Sequence, residues 1–333
     1  MEEQRPNFFD FADSELSHSS LWAWMLRCSG DQADEFASVR DLVKRFYAGC
    51  AIPPLVEPVV RRNVNYGGGH IDIEIKDAGG TCVLIENNVR AVSDSAQIEQ
   101  FYSSYKEKGH LHCILLTTAF DVDARSAARK GAWRYLGLEE LDGLLTPFRR
   151  DAHWLLREYS SWLEKENVRR KAIAADAKSD EVERFAAALA TPEGQWELLA
   201  AVMREISGFQ YRGTSRGRPW TQFRFVKESD TRDTLFYRLD VPGRQPFLEL
   251  KQYLSSLPAD LSGKQDRLIQ LRKLWKKTAA EFPGVKQMKF MHTNDGKECT
   301  VARMELHPVS EFLAAFPLLH AAYVAGLKEA GLG

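Results

Sequence analysis

The sequence predicts an α/β domain, a mixed sheet flanked by helices, followed by a second domain of the α+β class. In the first domain, a β-hairpin pattern over 70–90 lies between amphipathic helical patterns over 14–28 and 95–108. Short apolar runs at 112–117 and 132–136 then predict two further strands. This order of helix, hairpin, helix and strands is typical of a mixed sheet with helices on its faces. A chain of 333 residues is long enough for two separate cores.

Local signals support each element of the first domain. Ser14 is a candidate N-cap of the first helix, and a second helix is predicted over 33–49. Residues 76–80 have the Gly-rich and Asp-containing composition of a hairpin turn. Residues 93 and 94 are candidate caps of the helix after the hairpin, and a further helix begins at Gly137.

The second half of the chain begins with a long helical pattern over 150–178, rich in Arg, Lys, Glu and Ala, which we interpret as a connector. Helical segments continue through residue 206. Strands are then predicted at 221–227, 234–241, 247–253, 286–292 and 300–306, with a basic helix at 264–281 and a terminal helix at 309–330. The predicted parts of the chain are a first domain at 1–150, a helical connector at 151–180 and a second domain at 181–333.

Composition excludes several classes of protein. The net charge of −1 excludes a strongly basic coat, although residues 161–333 contain 27 Lys and Arg against 22 Asp and Glu. The five cysteines form no CxxC pair and are expected to be reduced core residues. The N-terminus does not resemble a signal peptide, and no apolar run of the ~18 residues that span a bilayer is apparent. We therefore expect a cytoplasmic protein that does not associate with a membrane.

Two carboxylates stand out within the hairpin. Asp72 lies in the first β-type run and Glu86 in the second, each among apolar and β-branched residues where a charge is costly without a partner. A hairpin can bring two such side chains together across its strands. Paired carboxylates suit a hard divalent cation, so the hairpin predicts a site for Mg²⁺ or Mn²⁺. The alternative is that both are ordinary charges on a solvent-facing sheet.

The residues around this pair resemble a known family. Asp72 and the run from Ile85 to Ala91 resemble the D…(I/V)-E-N-K-(I/V)-x-A signature of the PD-(D/E)xK nuclease superfamily, which has the restriction-endonuclease-like fold. Residues 15–26 resemble the E-x-x-H-S-x-x-L-x-W-L-L helix of a bacterial and phage subfamily. Residues 97–102 resemble its Q-(L/I)-x-x-(F/Y)-Y helix, and a following strand ends in Leu-Thr at 116–117. The resemblance covers roughly residues 7–148.

This resemblance implies roles for individual residues. Asp72 and Glu86 would be metal ligands, with the backbone carbonyl of Asn87 as an additional ligand. Glu15 would be a helical carboxylate that reaches the same site, and Gln97 a supporting or DNA-contacting polar group. The implied reaction is metal-dependent hydrolysis of a DNA phosphodiester, in defence, restriction or mobile-element biology.

One position departs from the family pattern. The lysine that follows the second carboxylate by two residues is Asn88 here, and Asn cannot supply positive charge to a phosphate. Asn88 could still orient a water molecule by hydrogen bonding, and Arg90 and His18 are candidate replacements for the lysine. Two functions therefore stay open: an active nuclease, or a catalytically degenerate relative that binds nucleic acid or protein. A homodimer and a separately encoded partner protein are also both open.

Two features of the second domain are candidates for function. Asp240, Glu249 and Lys251 reproduce a D…ExK pattern with its lysine intact, and they form either a competing site or charges on a solvent-facing strand. A cluster that interleaves arginines with an aromatic residue suits a phosphate backbone and unstacked bases. We predict that it binds nucleic acid through Arg212, Arg216, Arg218, Trp220 and Arg224. The alternative for this cluster is a loop that leads into a half-buried strand.

Overall fold

The chain divides into two compact units, residues 1–171 and 172–333. The computed structural model describes residues 7–12, 14–65, 69–88, 110–118, 133–215, 218–226, 234–241, 245–253, 261–289 and 298–332. Each unit has its own sheet and is described separately.

The first unit begins with a helix whose cap is visible in the sequence. Ser14 accepts a hydrogen bond from the N–H of Ser17 at 3.2 Å, which satisfies one of the free donors of the first turn. The described α-helices and strands that begin in this unit are α1 (Glu15–Cys28), α2 (Ala37–Gly49), β1 (Val59–Asn65), β2 (His70–Lys76), β3 (Thr81–Asn88), β4 (His110–Thr117), β5 (Trp133–Leu136), α3 (Leu138–Leu145) and α4 (Trp154–Asp176), and three short 3-10 helices lie at Phe8–Asp10, Asp34–Phe36 and Thr146–Phe148. The helix predicted over 95–108 lies outside the described residues.

The five strands form one mixed sheet in the order β1-β2-β3-β4-β5. The first three strands are antiparallel neighbours, whereas β4 and β5 are added in parallel. The β2–β3 hairpin closes through a turn in which Asp77 accepts the N–H of Thr81 at 2.6 Å. Gly80 has a φ of 85° in this turn, a conformation that glycine adopts without a steric penalty. The predicted mixed sheet flanked by helices is thus confirmed.

Each face of this sheet packs into a separate apolar cluster. The helix-side cluster joins residues of α1 to α4 with strand residues Val60, Ile73, Ile75, Val83, Ile85, Ile114, Leu116 and Leu136. The opposite cluster contains Ile71, Cys82, Leu84, Cys113, Leu115 and Trp133, and the partly buried Val64, Leu111 and Tyr135 pack against it. Because both faces are covered by apolar contacts, β3 and β4 are nearly continuous apolar runs, as buried parallel strands usually are.

Helix α4 is not the free connector that its charged composition suggested. Leu156, Tyr159, Trp162 and Leu163 in its first half are buried in the helix-side cluster. Their spacing places them on one helical stripe, and the many Glu, Lys and Arg residues occupy the other positions. The first part of the predicted connector at 151–180 therefore belongs to the core of the first unit.

The second unit contains an antiparallel sheet in the order β10-β9-β8-β7-β6. Its described elements are α5 (Val182–Leu189), α6 (Pro192–Glu205), β6 (Gln210–Ser215), β7 (Arg218–Val226), β8 (Thr234–Asp240), β9 (Phe247–Tyr253), α7 (Leu261–Ala279), β10 (Glu298–Glu305) and α8 (Val309–Glu329). Strand β6 was not predicted. The strand predicted at 286–292 is reduced, in its described part, to one isolated bridge between Gln287 and Met304.

Helix α8 is long enough and apolar enough to span a membrane by length and composition. The expectation that the chain contains no such segment is therefore corrected. Its buried residues recur at helical spacing and pack within the unit: Val309, Phe312, Phe316, Leu319, Tyr323 and Leu327. The ring of Phe316 lies 4.9 Å from that of Tyr237 on β8. The apolar composition of α8 thus has an explanation in the packing of one helical face against the sheet.

Candidate functional site

The two predicted carboxylates lie at the open end of the β2–β3 hairpin. The ladder between these strands ends with the pair of Ile73 and Ile85, although both strands continue past it. Asp72 and Glu86 are the next residues beyond this last pair, one on each strand. Both side chains are half-buried. The hairpin therefore brings the two carboxylates to neighbouring strand positions, while their role as metal ligands stays a prediction.

The carboxylate of Asp72 is fixed by the backbone of the neighbouring strand. The N–H of Asn87 donates to Oδ2 of Asp72 at 2.8 Å. Asn87 lies beyond the last pair of the ladder, so at this level a side chain of β2 accepts from the backbone of β3. Such a charge-assisted bond orients the carboxylate.

Glu86 and Asn88 point to the same face of β3, because side chains two residues apart on a strand share a face. Leu84 lies on this same face of β3 and packs in the opposite cluster. Glu86 and Asn88 therefore face away from the helix-side cluster. Oε2 of Glu86 is shielded from solvent, and Asn88 is buried. The carbonyl of Asn88 accepts the N–H of Thr118 at 3.0 Å, which continues the parallel pairing with β4.

Asn87 faces the other way and connects the strand to the first helix. Its Nδ2 donates to Oγ of Ser19 at 3.1 Å, and both residues are buried. Ser19 lies one helical turn after Glu15, so this bond holds the first turns of α1 at the same end of β3 as Glu86. Sequence reasoning did not assign a role to Ser19, although it is the serine of the E-x-x-H-S motif.

His18 belongs to the core and does not replace the missing lysine. It is fully buried, and its ring lies 4.6 Å from the ring of Trp162 and 5.6 Å from that of Phe9. Its Nδ1 is 3.5 Å from the hydroxyl of Tyr159. A side chain enclosed by aromatic rings in this way cannot reach a phosphate.

Several predicted residues cannot be placed by the structure. The side chain of Glu15 lies outside the described residues, although its backbone begins α1. Gln97 and Arg90 also lie outside them. Their proposed roles therefore stay predictions.

The donor set of the site suits a hard cation. Carboxylate and backbone carbonyl oxygens, completed by water, are the ligands that Mg²⁺ prefers, and Asp72, Glu86 and Asn87 offer these types. Within the described part of the chain, no group of three His, Cys, Asp or Glu residues is suited to hold a metal. The predicted third carboxylate, Glu15, is not among the side chains described.

The competing D…ExK pattern of the second unit forms ion pairs. Glu249 is buried, with Nζ of Lys251 at 3.0 Å and Nη2 of Arg303 at 2.6 Å. Burial alone would raise the pKa of Glu249, but Lys251 and Arg303 outweigh it and hold this pKa below its usual value. The register places Glu249 opposite Arg238, and Arg238 in turn binds Asp240 at 2.7 Å. A metal ion at this position would have to displace two cations from one carboxylate.

The described members of the predicted nucleic-acid-binding cluster belong to the paired strands β6 and β7. The guanidinium of Arg238 stacks on the ring of Trp220 at 4.6 Å from its centroid, and Arg224 is exposed. Arg216 and the side chains of Arg212 and Arg218 lie outside the described residues. The binding role of this cluster stays a prediction.

Comparison with known proteins adds a family to this geometry. A family model described as the PD-(D/E)XK nuclease superfamily matches residues 6–184, more than half of the chain. Among solved structures, a repair endonuclease from Pyrococcus abyssi is similar at 19% identity and a TM-score of 0.22, over 32% of this chain and 49% of that chain. The chain thus spans about half the length of that endonuclease. No curated protein matches this chain.

Proposed function

The chain belongs to the PD-(D/E)XK nuclease superfamily, and from this premise we propose that it is a metal-dependent nuclease that hydrolyses a phosphodiester bond of DNA. The supporting observation is the end of the β2–β3 hairpin. There Asp72 and Glu86 are the next residues beyond the last ladder pair, one on each strand, and Asp72 is fixed by the backbone N–H of Asn87. Carboxylate oxygens at neighbouring strand positions are the kind of ligand that a hard divalent cation prefers.

The proposed roles follow from the position of each group. Asp72, Glu86 and the carbonyl of Asn87 would hold Mg²⁺ or Mn²⁺, and Glu15 would assist from α1. When bound, such a cation neutralises phosphate charge and lowers the pKa of a coordinated water. Asn88, on the same strand face as Glu86, would orient the attacking water through its side-chain amide.

A second function is favoured by one specific observation. The family lysine is replaced by Asn88, and His18, one candidate replacement, is enclosed in the core. A protein of this kind could keep the fold, lose cleavage and act as a nucleic-acid- or partner-binding module. The β6–β7 hairpin with its arginines would then contribute most of the contact with nucleic acid.

Substrate and pathway rest on the family alone. DNA as the substrate and a role in defence, restriction or mobile-element biology are proposals by analogy with relatives. A cytoplasmic location and an assembly as a homodimer or with a separate partner protein are proposals of the same kind.

Plasmid nicking in Mg²⁺ or Mn²⁺, compared with EDTA, tests the enzymatic proposal. We expect Asp72→Ala and Glu86→Ala each to abolish metal-dependent nicking while the melting temperature stays nearly unchanged. Glu57→Gln, an exposed acid of the same unit, is the matched control and should nick at the wild-type rate. Nicking retained in either alanine variant would refute the site assignment. A gel shift without nicking in any metal would favour the binding module.

A further inference from the structure

The first two strands of the first unit both reverse their faces at the same level. Val60 of β1 and Ile73 and Ile75 of β2 pack in the helix-side cluster. Val64 of β1 and Ile71 of β2 instead pack in the opposite cluster. In a regular strand, residues two or four apart share a face, so both strands contain an irregularity between these positions.

The irregularity lies at Asn63 and Asp72. The β1–β2 ladder keeps one register on both sides of this level but contains no pair between these two residues. Asn63 has a φ of 49°, in the left-handed region that most residues avoid and that Asn tolerates better than others. A left-handed residue inside a strand rotates the chain that follows it and interrupts the ladder, as at a β-bulge.

This rotation decides where the carboxylate of Asp72 lies. With regular alternation, Asp72 would take the same face as Glu74, while Ile71 would follow Ile73 into the helix-side cluster. Instead Ile71 fills the opposite cluster, and the Asp72 carboxylate meets the backbone N–H of Asn87 at 2.8 Å.

We infer that Asn63 is a positioning residue, whose left-handed conformation holds the Asp72 carboxylate at the backbone N–H of Asn87, the place from which it would serve the candidate metal site. The metal part of this inference rests on the proposed function, whereas the geometric part does not. Asn63 is exposed, so its own side chain makes no contribution to a core that a substitution would remove. Its contribution lies in the backbone.

Substitutions that differ in tolerance for positive φ test the inference. Asn63→Val places a β-branched residue in the left-handed region, whereas Asn63→Gly removes the steric conflict. We expect Asn63→Val to speed hydrogen exchange of the Asn87 amide, followed by NMR, at least tenfold. It should also weaken Mn²⁺ binding, followed by electron paramagnetic resonance, about tenfold. Asn63→Gly should stay within threefold of the wild type in both measurements.

Glu57 supplies the matched control. It has the same φ of 49°, is exposed and precedes β1 without touching the irregularity. Glu57→Val should therefore lower the melting temperature as Asn63→Val does, yet leave Asn87 exchange and Mn²⁺ affinity unchanged. If Asn63→Val does not fold, Asn63→Ala carries the same prediction without the branched side chain.

The two parts of the inference fail differently. Equal Asn87 exchange in the Asn63 and Glu57 valine variants would overturn the positioning role. Faster exchange in Asn63→Val alone, combined with no Mn²⁺ binding by the wild type, would support the positioning of Asp72 and refute the metal-dependent function.

Discussion

Replacing Glu249 by Gln separates the two acidic patterns of this chain by experiment. The carboxylate is buried with 4% of the residue exposed and is held by Lys251 at 3.0 Å and Arg303 at 2.6 Å. Gln keeps the shape and removes the charge. We expect Glu249→Gln to destabilise the second unit and to leave metal-dependent nicking intact at temperatures where that unit stays folded.

The size of the effect follows from burial. Breaking a buried ion pair by removing one partner costs about 3–5 kcal/mol, because the opposite charge stays buried without compensation. Here Arg303 is 29% exposed and Lys251 retains Glu298 at 2.6 Å, so solvent and the second acid screen part of the loss. We therefore expect a loss of about 2–3 kcal/mol in the free energy of unfolding. For a unit of this size that is a fall of roughly 5–10 °C in melting temperature.

The pH dependence of stability shows in which direction the effect of Glu249→Gln should change. Because the folded pKa of Glu249 lies below its ordinary value of about 4.3, the stability it provides is present above that value and is lost as pH falls through the lowered folded pKa. Gln does not titrate. The gap in stability between wild type and Glu249→Gln should therefore be largest near neutral pH and shrink below about pH 4.

Differential scanning calorimetry across pH, with nicking measured in parallel, checks this prediction. Glu298→Gln is the matched control, because Glu298 is more exposed and its loss should cost about 1 kcal/mol or less. A Glu249→Gln protein that melts like the wild type would refute the energetic reasoning. A folded Glu249→Gln protein that no longer nicks would move the active site to the second unit.

Three further variants test other parts of the structure. Ser19→Ala removes the acceptor of the buried hydrogen bond from Asn87 and should lower the free energy of unfolding, followed by thermal melting, by about 1–2 kcal/mol. An unchanged free energy of unfolding would mean that this hydrogen bond does not hold α1. Gly194→Ala places a Cβ in steric conflict with the backbone carbonyl oxygen of Ala188 on α5 and should lower the free energy of unfolding by about 1–3 kcal/mol. Gly143→Ala, in open space on α3, should instead be neutral or stabilising, and equal melting of the two variants would contradict the packing seen here. Asn88→Lys should weaken Mn²⁺ binding and slow nicking, because the new ammonium group would pair with Glu86 and the water-orienting amide would be lost; a folded variant that nicks faster than the wild type would instead mark the wild type as a damaged nuclease.

The hairpin and the buried strands could be predicted because their signals are local. A Gly-rich turn between two β-branched runs indicates a hairpin, and an apolar run without caps indicates a buried strand. The same local logic missed β6, an edge strand over Gln210–Ser215 whose polar residues show no apolar alternation. Its pairing depends on β7, which lies close in the fold and has its own apolar pattern.

The interpretation of α4 as a connector shows a different limit. Residues 150–178 contain 12 charged residues among 29, and this average composition hides the stripe of Leu156, Tyr159, Trp162 and Leu163 in the first half. A helix whose composition changes along its length can belong to a core at one end, so composition alone does not locate the end of a domain.

The candidate site was only partly visible in the sequence for a related reason. Strand parity places Glu86 and Asn88 on one face without any structure. The position of Asp72 depends on a left-handed residue in a neighbouring strand, Asn63, and on a ladder pair that does not form. Neither has a signature in the residues around Asp72, because the cause lies in another strand.

The chain itself shows what a lysine at position 88 would do. In two other strands a Glu is followed by a Lys two residues later, and both pairs form close ion pairs: Glu74 with Lys76 at 2.9 Å and Glu249 with Lys251 at 3.0 Å. Strand geometry thus brings an ammonium group within contact of a carboxylate at this spacing. A lysine in place of Asn88 would bind Glu86 in the same way and compete with a metal ion for its oxygens. If Glu86 holds a cation as proposed, the asparagine would avoid this competition, and the cation itself would supply the neutralising charge.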